Sequence, residues 1–167
     1  MATKNKVPLV CAQSLHGGPP LSRVYPEAAL QTFKKGEAVY LDGSGDVAEY
    51  TAAIDDGTQR LLGFAASDGS NDATAGDIKV EVYLGFGNVF EANVTSAGSD
   101  QITAKTQVGT LYPLYQDTAN SRVAVDIADT ASQGDWCRVF DVVGTVGDTN
   151  GKVHFTLVPA ALQVSGT

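Results

Sequence analysis

An alternation of apolar and polar side chains with a period of two constrains the fold of this chain most strongly. Within residues 78–84, four aliphatic side chains fall on one face of an extended strand, and three polar or amphipathic ones fall on the other. This period is typical of a strand that buries one face of an antiparallel sheet, since successive side chains point to opposite sides. Residues 123–127 and 153–157 alternate in the same way, so the pattern predicts a β protein.

Further segments rich in β-branched and aromatic residues extend this pattern along most of the chain. Six more strands are predicted at residues 38–41, 47–54, 60–66, 89–94, 107–115 and 137–143. Clusters of Gly, Asp, Asn and Ser separate the strands, and these residues tolerate the dihedral angles of tight turns. The sequence therefore predicts an all-β fold, a compact antiparallel sandwich or barrel-like body with at most one short helix. That helix would begin at Pro26 and end near Gln31.

Length and composition set the remaining bounds. The 167 residues suffice for one domain with a single core plus an appendage. The formal charge of −8 at pH 7 disfavours nucleic acid as a partner, because phosphate contact needs clustered Lys and Arg. No apolar run reaches the roughly 18 residues of a membrane span, so we expect a soluble protein without a membrane partner. Two cysteines are too few for a disulfide framework, and both are expected to be reduced.

The charge is distributed unevenly along the chain. Residues 1–35 carry five bases against the single acid Glu27, a formal +4, whereas the remainder carries six bases against eighteen acids, a formal −12. Four prolines and a Gly-Gly pair in this first part exclude a long helix and favour extended backbone. The sequence thus predicts an extended N-terminal arm at residues 1–32, which lies on another molecule, and a β-rich domain at residues 33–167. A disordered tail, or a strand that completes the sheet of its own domain, is the alternative for the arm.

The sequence offers little for catalysis or metal binding. Its two histidines and two cysteines are too scattered for the ligand spacing of a zinc site. Residues 68–72 are similar to the start of a calcium loop, but Ala73 replaces the glycine that such a loop requires, and Lys79 replaces its closing glutamate. There is no nucleophile elbow and no phosphate-binding glycine loop ahead of a helix. We therefore expect a protein that is not an enzyme and that uses no metal and no cofactor.

Several stretches of the chain resemble the capsid decoration proteins of tailed bacteriophages, which are also called cement or head-stabilising proteins. The resemblance begins with FKKGEAVYL at residues 33–41 and continues through GDVAE at 45–49 and LLGFA at 61–65. The later segments that match this pattern are GNVFEANV at 87–94, CRVF at 137–140 and KVHF at 152–155. The match covers residues 30–160, and the N-terminal extension is longer than in the shortest members of the group.

The resemblance implies a structural role in the virion. Such proteins bind the outer surface of an icosahedral capsid, commonly as homotrimers, and stabilise the shell by bridging copies of the major capsid protein. The expected partners are thus the major capsid protein and further copies of this chain. The expected location is the outer capsid surface, after synthesis in the host cytoplasm, and no cofactor is implied.

The N-terminal arm supplies the residues expected to contact the capsid or a neighbouring copy. Backbone hydrogen bonds to an exposed strand edge would provide affinity, apolar side chains would fill shallow pockets, and basic side chains would steer the encounter. The residues predicted to bind are Lys4, Lys6, Val7, Leu9, Val10, Leu15, Leu21, Arg23, Tyr25, Phe33, Lys34 and Lys35.

A receptor- or carbohydrate-binding module of a phage tail or surface structure is the alternative function. Exposed aromatic residues and acidic loops would suffice for such binding. Tyrosines at strand positions are also common in ordinary cores, so this pattern does not separate the two functions.

Overall fold

The structure is a computed structural model that describes residues 1–50, 60–117, 120–129 and 137–163. These residues form β-strands without any helix of seven or more residues, so the all-β prediction is confirmed. Two three-residue 3₁₀ turns are formed by Lys105–Gln107 and Pro159–Ala161. The strands are β1 Val10–Ser14, β2 Ser22–Pro26, β3 Ala38–Leu41, β4 Val47–Glu49, β5 Gly63–Ala65, β6 Lys79–Leu84, β7 Asn88–Ser96, β8 Ser99–Asp100, β9 Leu111–Tyr112, β10 Leu114–Asp117, β11 Arg122–Asp126, β12 Cys137–Val143 and β13 Lys152–Leu157.

The larger of two sheets is built around β7. Its strand order is β10-β11-β7-β13-β12-β9, and β1 and β8 also pair with β7. One edge of β7 pairs antiparallel with β13. The other edge pairs antiparallel with β1 in its first half and parallel with β11 in its second half. The sheet curves into a nearly closed barrel.

The smaller sheet has the order β2-β6-β5-β3-β4, with every neighbouring pair antiparallel. A parallel bridge between Glu27 and Val47 joins the end of β2 to β4, and the Ala28 N–H donates to the Val47 carbonyl at 2.9 Å. The first and last strands therefore meet at one end. No pairing between β2 itself and β4 is present among the described residues, so the sheet curves without closing along its length.

Two apolar clusters occupy the two faces of the smaller sheet. The cluster between the sheets includes Phe64, Phe90 and Phe155, and the Phe64 and Phe90 ring centroids are 4.7 Å apart in an edge-to-face contact. The cluster on the opposite face includes Phe33 and Val82, which are both fully buried. Burying one such side chain contributes about 1.5–3 kcal/mol, so these residues are the main source of stability.

The nine strands predicted from periodicity all coincide with observed strands, with two differences. Predicted strand 107–115 divides because Gln107 lies in a 3₁₀ turn and Pro113, which has no N–H, separates β9 from β10. Predicted strand 47–54 ends at Glu49 in the described part, and residues 51–54 lie outside it. The helix at 26–31 is absent: Pro26 is the last residue of β2, and Leu30 has a φ of 61°, which no right-handed helix allows.

The N-terminal segment differs from the expectation. β1 pairs with β7 of the larger sheet, and β2 pairs with β6 of the smaller sheet over five residues. Residues 10–26 therefore belong to the same domain as the strands after residue 33. The prediction of a separate arm at residues 1–32 is corrected for these residues. The segment is extended, as its prolines indicate, but the scaffold that orders it is its own chain. This arrangement is the alternative in which the segment completes the sheet of its own domain.

Candidate binding surface

The first residues of the chain are held by Asp148, a buried residue in the loop between β12 and β13. The Ala2 N–H donates to Asp148 Oδ1 at 2.7 Å, and Lys4 Nζ lies 3.2 Å from Asp148 Oδ2. The hydrogen bond from Ala2 and the Lys4 ammonium hold the pKa of Asp148 below its ordinary value. Lys4 therefore contacts its own domain rather than steering the chain toward a partner.

Lys6 and Val7 are fixed in a similar way. Lys6 Nζ lies 2.7 Å from Asp100 Oδ1 and donates to the Gly98 carbonyl at 3.0 Å. The Lys6 ammonium is the main cause that lowers the pKa of Asp100. The Val7 N–H donates to Asn93 Oδ1 at 2.8 Å, which ties the segment to β7.

Lys34 and Lys35 both contact Asp68. The Lys35 N–H donates to Asp68 Oδ1 at 2.9 Å, and Lys34 Nζ lies 3.2 Å from Asp68 Oδ2. These two contacts, led by the Lys35 N–H, lower the pKa of Asp68. Three of the five basic side chains of residues 1–35 thus pair with acids of the later part of the chain.

Three apolar residues predicted to bind a partner differ in their burial. Leu9 is 2% exposed and Phe33 is fully buried, so both are core residues, and the prediction that they bind a partner is corrected. Their side chains stabilise the domain instead, because Leu9 packs in the apolar cluster between the sheets and Phe33 packs in the cluster on the opposite face of the smaller sheet. Val10, opposite Glu91 in the β1–β7 pair, is 44% exposed.

The remaining four predicted residues lie near the turn that carries Phe86, a residue that the sequence did not single out for binding. We call this set the Phe86 surface: Leu15, Leu21, Arg23, Tyr25 and Phe86. Phe86 is 73% exposed, Leu15 is 53% exposed and Leu21 is 42% exposed. Exposed apolar residues that cluster in this way mark an interaction site more often than isolated ones do.

The tip that carries Phe86 is held in place by its neighbours. Phe86 lies between β6 and β7, and Gly87 has a φ of 77°, which a residue with a side chain rarely adopts. The Leu15 N–H donates to the Gly87 carbonyl at 2.8 Å. Asn88 accepts the Leu21 N–H at 2.8 Å and donates to the Leu21 carbonyl at 2.7 Å. The exposed aromatic ring is therefore presented by a fixed backbone.

A cavity of about 320 Å³ opens beside Phe86 on the face of the smaller sheet that points away from the larger one. Its floor is aliphatic, and its polar groups are the Arg23 guanidinium, the Tyr25 hydroxyl and the Gln163 amide. Gln163 is fixed, because its amide exchanges two hydrogen bonds with the Leu41 backbone at 2.7 and 2.8 Å. The lining residues are Arg23, Tyr25, Leu41, Leu62, Leu84, Phe86, Leu162 and Gln163.

The lining of this cavity has the features of a binding site. None of its lining residues is an acid, a histidine or a cysteine. Mostly apolar walls with a few fixed polar groups are typical of ligand and peptide sites. Elsewhere, burial raises the pKa of the Cys11 thiol to about 11, which makes it a poor nucleophile.

The sequence alone could have predicted that Phe86 is exposed. It stands between Gly85 and Gly87 at a predicted turn, and a large apolar residue in a turn has no place in the core. The sequence could not have predicted the cavity, because its lining residues lie between positions 23 and 163 and only the folded sheet brings them together.

Comparison of the chain with protein-family models, with curated proteins and with solved structures gives no match. Within the described residues, no group of three His, Cys, Asp or Glu side chains is placed to hold a metal ion. None of the helices in the described ranges has the length and apolarity that a membrane span needs.

Proposed function

We propose that this chain is a structural protein that binds the outer surface of an icosahedral phage capsid and stabilises the shell by bridging copies of the major capsid protein. The resemblance of residues 33–155 to decoration proteins supports this function. The structural observation that supports it most is the Phe86 surface, an exposed apolar patch beside a cavity. Under this proposal the protein is not an enzyme and needs no cofactor.

The N-terminal segment is part of the domain, so a different surface must hold the capsid. Because β1 and β2 are strands of the domain, they do not extend across the shell, and the Phe86 surface takes over the contact. Full burial of a phenylalanine side chain contributes about 1.5–3 kcal/mol. Phe86 alone thus gives weak attachment, and several copies acting together are needed for high occupancy.

A homotrimer would supply that multiplicity. Three Phe86 surfaces on one assembly bind almost intramolecularly after the first contact, so the overall affinity rises without new kinds of contact. The mass in solution tests this part of the proposal by sedimentation equilibrium, with and without capsids. A mass near three times 17.4 kDa, in solution or on docking, is the expected result.

Co-sedimentation with capsids tests the function itself. The probe is an assembled icosahedral capsid of a tailed bacteriophage, with its unassembled major capsid protein as the control. Saturable binding to the assembled shell, and none to the unassembled capsid protein, is the expected result. Absence of binding to the assembled shell, at concentrations well above those of a micromolar complex, rejects the proposal.

Carbohydrate binding is a second candidate because of one observation. Tyr25 and Phe86 line the cavity together with the polar groups of Arg23 and Gln163, and aromatic rings beside such groups also suit a sugar. A glycan array separates the candidates. Specific binding of a glycan that is lost in Phe86→Ser would favour the receptor- or carbohydrate-binding module.

A further inference from the structure

The outer edge of β2 has unpaired backbone groups. In the β2–β6 pair the Leu84 N–H donates to the Leu21 carbonyl at 3.0 Å, and the Glu27 N–H donates to the Ile78 carbonyl at 2.9 Å. In an antiparallel pair, the residues that hydrogen-bond to a given neighbour alternate along the strand. Odd-numbered residues of β2 therefore bond to β6, and the N–H and C=O groups of Ser22 and Val24 point away from it.

No other strand covers this edge within the described ranges, where β2 pairs only with β6. Val24 is 56% exposed, so a second chain has access. Pro26, like Ser22 and Val24, faces away from β6, but it has no N–H to donate. The free edge is therefore limited to a short stretch. The edge can thus accept a few residues of an added strand, but not a long one.

The same strand carries the two side chains that line the cavity. Arg23 and Tyr25 lie two positions apart on one face of β2, and both border the cavity of about 320 Å³. The Arg23 guanidinium carbon lies 5.4 Å from the centre of the Tyr25 ring. No carboxylate among the described residues pairs with Arg23, although the chain carries a formal charge of −8. An open strand edge, an apolar cavity and an unpaired cation therefore adjoin one another.

We infer that the β2 edge is a docking site for an extended segment of a partner protein, which places one bulky apolar side chain in the cavity and one carboxylate beside Arg23. The backbone of the segment bonds to Ser22 and Val24, which is recognition by strand addition. The apolar residue and the acid stand two positions apart, because they face Tyr25 and Arg23 on one side of the added strand. This inference goes beyond the proposed function, since it holds for any partner with such a segment.

A second copy of β2 fits this edge less well. If two copies paired about a two-fold axis at Val24, Ser22 of each would face Pro26 of the other, and each end would lose one backbone hydrogen bond. Two Arg23 side chains and two bodies of charge −8 would also approach one another. The unpaired guanidinium matches an acidic segment better than it matches a copy of itself.

Fluorescence anisotropy with synthetic peptides tests the inference on the full chain. The probes are fluorescein-labelled polythreonine octapeptides with Leu and Glu, or Phe and Glu, two positions apart in both orders, and the matched controls carry Gln in place of Glu. Val24→Pro removes the outward N–H without removing a β2–β6 bond, and Val24→Thr is its control. Circular dichroism establishes that each variant is folded.

We expect saturable binding of at least one Glu peptide, weakened about fivefold in its Gln control. This factor corresponds to about 1 kcal/mol for a hydrogen-bonded charge pair. Val24→Pro should weaken binding about tenfold, and Val24→Thr should leave it unchanged. In Arg23→Gln the Glu and Gln peptides should bind equally, which tests the charge contact even if Val24→Pro fails to fold.

Three results would overturn the inference. They are no saturable binding of any Glu peptide up to about 1 mM, equal affinities for Val24→Pro and Val24→Thr, or a persistent preference for Glu in Arg23→Gln. A wild-type dimer that Val24→Pro dissociates would also overturn it, because a second copy would then occupy the edge. Capsid binding is tested separately with Phe86→Ser, which leaves Val24 and Arg23 unchanged.

Discussion

At the scale of single residues, Leu9 and Leu15 show why composition alone misplaces the N-terminal segment. Both are leucines of the same proline-punctuated stretch, yet Leu9 is 2% exposed and Leu15 is 53% exposed. Leu9 packs in the apolar cluster between the sheets, with residues as distant along the chain as Phe90 and Phe155, whereas Leu15 does not belong to that cluster. No pattern within residues 1–20 predicts which of the two leucines is buried.

Leu9→Ala should therefore destabilise the whole domain. Removing a buried leucine side chain typically costs about 2–5 kcal/mol, whereas Leu15→Ala, at an exposed position, should change the free energy of unfolding by no more than about 0.5 kcal/mol. Urea denaturation followed by tryptophan fluorescence measures both. Equal and small effects would mean that the segment does not belong to the core.

Acid should release the first residues before the domain unfolds. The pKa values of Asp148 and Asp100, the two acids that hold the first residues, lie below the ordinary aspartate value of 3.8 in the folded protein. A lowered pKa means that each group contributes stability above pH 3.8, and that this contribution is lost as the pH falls through the folded value. The protection factors of residues 2–7 in hydrogen exchange, which correct for the intrinsic pH dependence of exchange, should fall in that acid range.

Asp148→Asn is the matched variant for this pH dependence. It keeps an acceptor for the Ala2 N–H but removes the charge beside Lys4, so residues 2–4 should exchange faster at neutral pH and respond less to acid. Protection factors that do not depend on pH below 3.8 in the wild-type protein would contradict the assignment.

At the scale of elements, the close packing of strands sets what the smaller sheet tolerates. Gly63 of β5 has no space for a side chain, because a Cβ atom there would lie 2.0 Å from the Tyr83 carbonyl oxygen. Gly43, in the turn between β3 and β4, has open space around it. Two glycines of one sheet thus have different roles.

Gly63→Ala should destabilise the protein by at least about 1–3 kcal/mol, the usual cost of overpacking, because β5 and β6 must separate to admit the methyl group. Gly43→Ala is the control and should leave the melting temperature nearly unchanged. Thermal unfolding followed by circular dichroism gives both values. A Gly63→Ala protein as stable as the control would mean that β5 does not pack against β6 as described.

Periodicity predicted most strands of this fold but not β1, β2 or the two-residue β8. β6 alternates between exposed and buried residues, and that alternation is visible in the sequence. In β2 the first three residues are all exposed, so its sequence lacks the alternation that would identify a strand. Its pairing with β6 depends on a contact between positions some sixty residues apart, which no local pattern encodes.

At the scale of the whole molecule, the binding surface is a property of the fold rather than of any segment. Arg23 and Tyr25 come from β2, Phe86 from the tip after β6, and Gln163 from the end of the described chain. The sequence predicted four residues of the Phe86 surface, though for an arm that the structure does not have. The other predicted residues pair with or pack against their own domain, because the acids that balance the basic first part belong to the same chain.

The occupancy of capsids by two single variants tests the central claim most directly. Phe86→Ser removes the most exposed aromatic side chain of the Phe86 surface, and Phe140→Ser makes the same change at β12 of the other sheet, where Phe140 is 42% exposed. Loss of about 1.5–3 kcal/mol of apolar burial predicts a roughly tenfold to hundredfold weaker affinity for Phe86→Ser, with Phe140→Ser equal to the wild type. If capsids bind Phe86→Ser as tightly as the wild-type protein, the Phe86 surface does not hold the shell.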